Sequence, residues 1–387
     1  MKAVERWPSL RRAPWLAYRL LTQGRYDFVY DRMALSVRGM SAAKRRNLAA
    51  AGLNLIYRRA RPWAMPLHMQ LELASTCNLH CPICPTGSGE LGRPGGFMDP
   101  ALFARVWAEV GPYLLTASLW GWGESLLHPE LAELLRVARG QPVVTLLSTN
   151  GQNLDRNAIV DALLAHPPTF LIVALDGLSD ETNAGFRLGA RLAPALDGIR
   201  RLARLKAEQG QRFPVLHMRT IVMKHNQHEI ASARAFAAEH GFDMLTLRAL
   251  VPVSTPTAAR RFAGLLPDLD KYRAYRPQVD PTLREEPAGC VQPFWFPSLY
   301  ADGTLVACEQ DACAACPLGK ITRESTFAEL WWSEEAACVR RRMRDHPHEI
   351  PCCRDCPLGH GPGLETSVEV ACFAPALSPL VVQGEVP

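Results

Sequence analysis

The chain has 387 residues, 48% of them hydrophobic, which excludes a disordered segment and favours one large domain with a smaller one attached. Its net charge of +5 is uneven: residues 1–68 hold 14 Lys or Arg against Glu5, Asp27 and Asp31, a local balance of +11 that leaves −6 for the remainder. No uncharged apolar run reaches bilayer length, since the candidates at 287–301 and 370–384 are interrupted by proline, and Arg11 and Arg12 sit where a signal peptide needs its apolar region, so a cytoplasmic chain is expected.

Residues 1–67 carry Trp7, Trp15, Tyr18, Tyr26, Phe28 and Tyr30 among the arginines and lack glycine-bounded alternating runs, which predicts a basic helical extension. Its basic face is either a solvated surface or a docking arm for an anionic membrane, an acidic partner or a substrate. No nucleic-acid-binding motif and no winged-helix pattern stands there.

At 68–73 the alternation of Met69, Leu71 and Leu73 predicts a strand, and a loop broken by Pro and Gly then presents Cys77, Cys81 and Cys84. Three cysteinates can hold three corners of a 4Fe-4S cubane and leave the fourth iron open. A zinc site or buried thiols are the competing readings, though zinc asks for a fourth ligand and His80 is wedged between two of the cysteines. Helices and strands then alternate. Phe103, Val106, Trp107 and Val110 form a helical stripe, followed by a strand at 117–120, a helix through Leu131, Leu134, Leu135 and Ala138, and a strand at 143–147. A helix at 158–164, a strand at 170–175, a helix through Leu192, Leu196, Ile199 and Ala203, a strand at 215–223, a helix at 229–239 and a strand at 244–250 complete the series. Six strands each separated by a helix predict an α/β fold, a parallel sheet curled into an open barrel over 68–250. Polar or glycine-rich tips end several of these strands: Gly121, Trp122, Gly123 and Glu124; then Ser148 to Gly151; then Asp176.

Residues 251–289 hold Pro252, Pro256, Pro267, Pro277, Pro281 and Pro287, with a short helix near 269–275, and read as a bridge. Twelve cysteines without an export signal argue for metal binding, and nine of them lie between 290 and 372, a small cysteine-rich α+β domain. Asp302-Gly303 predicts a type I′ hairpin, and Thr326 with Glu329 a capping box opening a helix in which Cys338 is a packed core thiol. The tail, 373–387, is expected to be loose.

Cys-x3-Cys followed by Cys-x2-Cys resembles the signature of the radical S-adenosylmethionine (SAM) superfamily, in which the open iron chelates the methionine moiety of SAM. The resemblance implies a partial (β/α)6 TIM-like barrel with function at the C-terminal strand ends. It also implies a set of site residues. Gly121, Gly123 and Glu124 stand where relatives hold the methionine amino group, and Asn150 lies in a segment beside the cofactor. Arg187 would take the SAM carboxylate, with Ala174 where relatives often have a serine. Asp176 would either meet polar groups near the ribose or end its strand, and Ile83 would pack on the adenine.

Cys290-x12-Gly303-x4-Cys308 followed by Cys353-x2-Cys356 resembles the SPASM or shorter twitch domain, implying an auxiliary 4Fe-4S cluster on those four thiols. Cys313, Cys316, Cys352 and Cys372 are candidates for a second. The activity implied is reductive cleavage of SAM, with an electron from a donor such as flavodoxin or ferredoxin, to a 5′-deoxyadenosyl radical that abstracts hydrogen from a substrate. An auxiliary cluster that accepts an electron favours oxidation or cross-linking of a peptide, a protein side chain or a sugar-like compound, or a lipid if the arm binds membranes. Glu309 or Asp311 could take the proton. The rival class, a non-catalytic iron-sulfur carrier or zinc scaffold, has no use for the Gly121–Glu124 and Arg187 positions.

Overall fold

The computed structural model describes residues 15, 18–20, 22–251, 253, 255–273, 290–354, 356, 366–374 and 380–383. The expectations resting on Trp7, Arg11, Arg12, Pro252, Pro277, Pro281 and Pro287 lie outside them. No helix among the described residues is long and apolar enough to cross a membrane.

The helical extension expected at the start is, in its described part, largely a hairpin of β1 (Tyr26–Tyr30) and β2 (Met33–Arg38), followed by a helix over Ala42–Tyr57. Asp31 and Arg32 form its tip with φ of 44° and 59°, a conformation that usually selects Gly or Asn. A distant contact compensates: the Asp31 carboxylate accepts from the Arg219 guanidinium and the Ser367 hydroxyl.

Six parallel strands form the barrel in chain order: β3 (His68–Leu71), β4 (Thr116–Ser118), β5 (Val144–Thr149), β6 (Phe170–Ala174), β7 (Val215–Val222) and β8 (Met244–Ala249). Strand alternation sorts their side chains. Met69, Leu71 and Leu73 point outward into a core shared with Phe103, Val106, Trp107 and Val110 of the helix Pro100–Val110, whose N-cap is Asp99. Phe170, Ile172 and Val215 point inward and meet Leu35 and Val37 of β2, so the hairpin plugs the N-terminal end of the barrel.

The sheet does not stop at the barrel. β9 (Ser298–Leu299) pairs parallel with β3, β10 (Thr304–Val306) and β11 (Pro317–Lys320) extend it, and β12 (Ser367–Cys372) pairs antiparallel with β8. The cysteine-rich region thus shares one ten-stranded sheet with the barrel.

Several expectations change. The β9–β10 connection is a three-residue loop rather than a type I′ turn: Tyr300 N–H donates to Thr304 O, and only Gly303 has positive φ, +88°. The capping box at Thr326 opens a short helix, Phe327–Trp331, and Cys338 lies exposed on a second helix, Glu334–Asp345, capped by Ser333. Within the bridge, a helix spans Pro256–Leu265 behind the Thr255 cap, with Pro at its first position, and only a 3-10 turn, Asp270–Tyr272, stands near the predicted one. In the expected loose tail, β13 (Leu380–Gln383) pairs parallel with β2, whose edge would otherwise be unpaired.

Candidate active site

The loop after β3 returns to its own strand: Ala74 bridges Phe97, and Ser75 N–H donates to Gly96 O at 3.0 Å. Cys77, Cys81 and Cys84 sit half-buried on this excursion, at the C-terminal end of the barrel, with His80 exposed beside them. The turn through the last two cysteines is tight, with Cys84 N–H donating to Cys81 O at 3.2 Å. A Cβ on Gly87 would come 2.5 Å from Cys81 O, so only glycine passes there. Burial pushes the Cys81 thiol up to about 12, against the pull of Arg187, and raises Cys77 as well. Thiols in that state become ligands when a metal displaces their protons.

Around this loop the predicted site residues fall into two groups. Asn150 reaches it, its Nδ2 lying 3.8 Å from Cys77 Sγ and donating to Asn78 Oδ1 at 2.8 Å. Arg187 reaches it too, from the end of the helix Asp180–Phe186, pairing with Asp176 at 2.8 Å while its buried Nε has no partner. Asp176 accepts from Ile221 N–H at 2.8 Å through one oxygen and faces the Arg187 guanidinium at 2.8 Å with the other, which, buried like Arg187 Nε, has no hydrogen-bond partner.

The second group is held by contacts within the protein. Glu124 is buried, and its carboxylate accepts from Leu126 N–H at 2.9 Å, Thr149 Oγ1 at 2.7 Å and Asn150 N–H at 2.7 Å, stapling the tip of β4 to that of β5. Gly121 and Gly123 are required by packing on the chain just beyond β3, because Cβ atoms there would lie 2.6 Å from the Glu72 side chain and 2.3 Å from Ala74 O. Ile83 is buried in a cluster with Phe186, Met223, Leu250, Ala258 and Phe262.

The second thiol set lies on the shared sheet's other wing. Cys290, Cys308, Cys353 and Cys356 are near enough that Cys290 and Cys308 each feel Cys356, and burial pushes Cys290 up to about 12 and Cys308 well beyond the usual thiol range. Cys352 Sγ is 3.9 Å from Cys353 Sγ. Cys313 Sγ lies 3.4 Å from Glu90 O, and Cys316 is buried nearby. Cys372 does not join them. It pairs in register with Met244 at the N-terminal end of β8 and touches Met33, so a second set containing it is not formed. No disulfide joins any of the twelve cysteines.

Neither proposed proton acceptor is a solvated hairpin residue. Asp311 is buried and accepts from Ala315 N–H at 2.8 Å and Cys316 N–H at 2.9 Å, which occupies both oxygens. Glu309, half-buried next to Cys308, has its carboxyl raised by burial while Arg248 of β8 and Arg219 of β7 oppose the shift across the open side of the barrel.

One pair escaped sequence reasoning. Glu72, with no exposed side chain, receives both guanidinium nitrogens of Arg93 at 2.9 Å, and Arg93 stacks 3.7 Å over the Tyr300 ring and donates to Ala312 O at 2.7 Å. This joins β3, the cysteine loop and the C-terminal wing. The only signal was a glutamate inside an otherwise apolar strand end.

Residues 71–237 match the radical SAM superfamily, and residues 290–357 match SPASM, an iron-sulfur cluster-binding domain. Over 190 residues the chain is 26% identical to the tungsten-containing aldehyde ferredoxin oxidoreductase cofactor-modifying protein of Pyrococcus furiosus, covering 48% of this chain and 52% of that one. Over 176 residues it is 25% identical to mycofactocin maturase MftC of Mycobacterium ulcerans, covering 46% and 45%. The chain thus spans about half the length of these curated relatives. Its fold resembles that of Streptococcus suis SuiB bound to precursor peptide SuiA, with a TM-score of 0.57 at 15% identity over 87% of this chain and 80% of that one. A likeness at that identity is one of fold.

Proposed function

Because the chain belongs to the radical SAM superfamily and carries a SPASM domain, we propose that it oxidises or cross-links a peptide or protein side chain, drawing reducing equivalents from a flavodoxin- or ferredoxin-like donor. Its cofactors are a SAM-binding 4Fe-4S cluster, SAM and at least one auxiliary 4Fe-4S cluster. When bound, they supply a carbon-centred radical that takes a hydrogen atom from the substrate.

The residues present fit these groups. Cys77, Cys81 and Cys84 would hold the SAM cluster, and Cys290, Cys308, Cys353 and Cys356 the auxiliary one. The orphaned Nε of Arg187 would take the SAM carboxylate, and Asn150 would fix the edge of the cysteine loop. Inside the barrel, Gln70 Oε1 and Ser298 Oγ are buried without partners on directly paired residues of β3 and β9, which suits a substrate carrying amide groups. Glu309 is the better placed of the two carboxylates to receive a proton, since Asp311 is occupied. A peptide is favoured because the fold is shared with SuiB, whose structure was solved with precursor peptide SuiA bound.

The observation that carries this reading is the meeting of three thiols with an unpaired, buried guanidinium nitrogen at the C-terminal end of the barrel. Anaerobic reconstitution tests it: two cubanes give about 8 iron per chain. Replacing Cys77, Cys81 and Cys84 by Ala should halve the iron and abolish 5′-deoxyadenosine. Replacing Cys353 and Cys356 should leave 5′-deoxyadenosine formation but uncouple it from product. Retention of full iron by the first variant would overturn the assignment.

A further inference from the structure

The helix Ala42–Tyr57 departs from an ordinary surface helix. Toward the protein it turns Leu48 and Ala51 together with three polar side chains. Lys44, 2% exposed, donates to Pro142 O at 2.8 Å; Asn47 exchanges hydrogen bonds with the Met65 backbone at 3.1 and 2.8 Å; and Asn54, 1% exposed, accepts from Trp63 N–H at 2.9 Å. Toward solvent it turns Leu53, Ile56 and Tyr57, which are 49, 59 and 63% exposed and share one stripe by their i, i+3, i+4 spacing.

The stripe continues beyond the helix. Tyr57 meets Trp63 edge-on at 5.8 Å between ring centroids, and Trp332 donates its indole N–H to Pro62 O at 2.7 Å, placing a third aromatic beside them. Five of the eleven large apolar side chains exposed among the described residues therefore lie in one patch. Contiguous apolar surface of this kind marks a docking face.

Charge selects the occupant. Residues 32–71 contain eight Lys or Arg and no Asp or Glu. Arg46, Arg59 and Arg61 are exposed around the stripe, Arg59 lies 4.4 Å over the Trp63 ring, and the nearby Glu334 is paired with Arg61 and Arg341. A second copy would bring basic surface to basic surface. Residues 1–14 have the same sign, four Lys or Arg against Glu5. An aliphatic and aromatic stripe rimmed by guanidinium groups matches the boundary of an anionic bilayer, where the aromatic rings sit at headgroup level and the arginines meet phosphates.

We propose that the face built on Leu53, Ile56, Tyr57, Trp63 and Trp332 docks the protein peripherally on an anionic membrane surface. Pro142 and Met65, which anchor the helix, precede β5 and β3, so the face lies at the N-terminal end of the barrel, opposite the cysteine loop. Docking there holds the enzyme by its base and leaves the substrate end facing away from lipid. The inference is independent of the reaction proposed above.

The test is sedimentation of the full-length, reconstituted protein with vesicles of phosphatidylcholine alone or with about a third phosphatidylglycerol. Binding is expected only to the anionic vesicles and should weaken with added salt. The double variant Leu53→Gln, Ile56→Gln should bind about tenfold more weakly while keeping iron content, thermal midpoint and 5′-deoxyadenosine formation, since both side chains are exposed. No binding to anionic vesicles, or equal binding by the variant, overturns the proposal. So does a concentration-dependent dimer that the same substitutions abolish, which would assign the face to a second copy.

Discussion

Arg187 is the residue on which the cofactor assignment leans hardest, and its surroundings say what it can do. Asp176 takes one side of the guanidinium, and the buried Nε faces no protein acceptor. A planar cation already oriented by a carboxylate is poised for a second carboxylate, which a lysine cannot engage in the same geometry. Arg187→Lys should therefore cost about 1.5–3 kcal/mol of SAM binding, a roughly ten- to hundredfold weaker Kd by equilibrium binding, with iron content unchanged. His68, half-buried, and His217, fully buried, are hydrogen-bonded to Thr116 and Thr246. Burial lowers His68 to about 4 and His217 to about 3. The unfolded chain binds protons near the ordinary value of 6.5 that the folded chain refuses, so stability is complete above that pH and falls as pH drops toward 4 and 3. At pH 5.5 each should cost about 1.4 kcal/mol. The urea midpoint should fall between pH 7.5 and 5.5, and His217→Gln should flatten that slope. The clustering of the cysteines was legible because their spacing is local in sequence. The contacts of Glu124, Gly121 and Gly123 were not, because their partners just beyond β3 and at the end of β5 are fixed only by the fold.

Among the elements, the barrel strands were readable and the hairpin was not, for one physical reason. The alternation of Met69, Leu71 and Leu73 is set by the face that packs on the outer helices, whereas the tip of β1–β2 holds non-glycine residues at positive φ only because Arg219 and Ser367 grip Asp31. The helix Pro256–Leu265 did carry a signal, a Thr cap followed by Pro, hidden by the density of prolines around it. The cysteine loop is the element whose shape matters most, and Gly87 controls it. Gly87→Ala would force a Cβ to 2.5 Å from Cys81 O, backbone that cannot swing aside. The expected result is loss of about 4 of about 8 iron, with the auxiliary cluster's spectrum kept and 5′-deoxyadenosine formation abolished.

At the scale of the molecule, two thiol sets are held on one continuous sheet, and an auxiliary centre can receive electrons reliably only if its position relative to the first is fixed. The sequence indicated two cysteine-rich regions; that β9 would pair with β3, and that Arg93 would clamp Glu72 beneath Tyr300, required knowing which edges the barrel leaves open. The clamp is a buried, bidentate ion pair, so its loss leaves the Glu72 carboxylate without a countercharge, held only by Trp122 and Ala301 N–H in a site with no exposed surface, at a cost of about 3–5 kcal/mol. Arg93→Ala should therefore do more than lower the midpoint. The intact chain should unfold in one transition, because barrel and C-terminal wing share strands; in the variant, amide hydrogen exchange should accelerate across 298–320 while β7 and β8 stay protected. Equal acceleration in both regions, or none in either, would mean that the sheet alone, without the clamp, fixes the distance between the two centres.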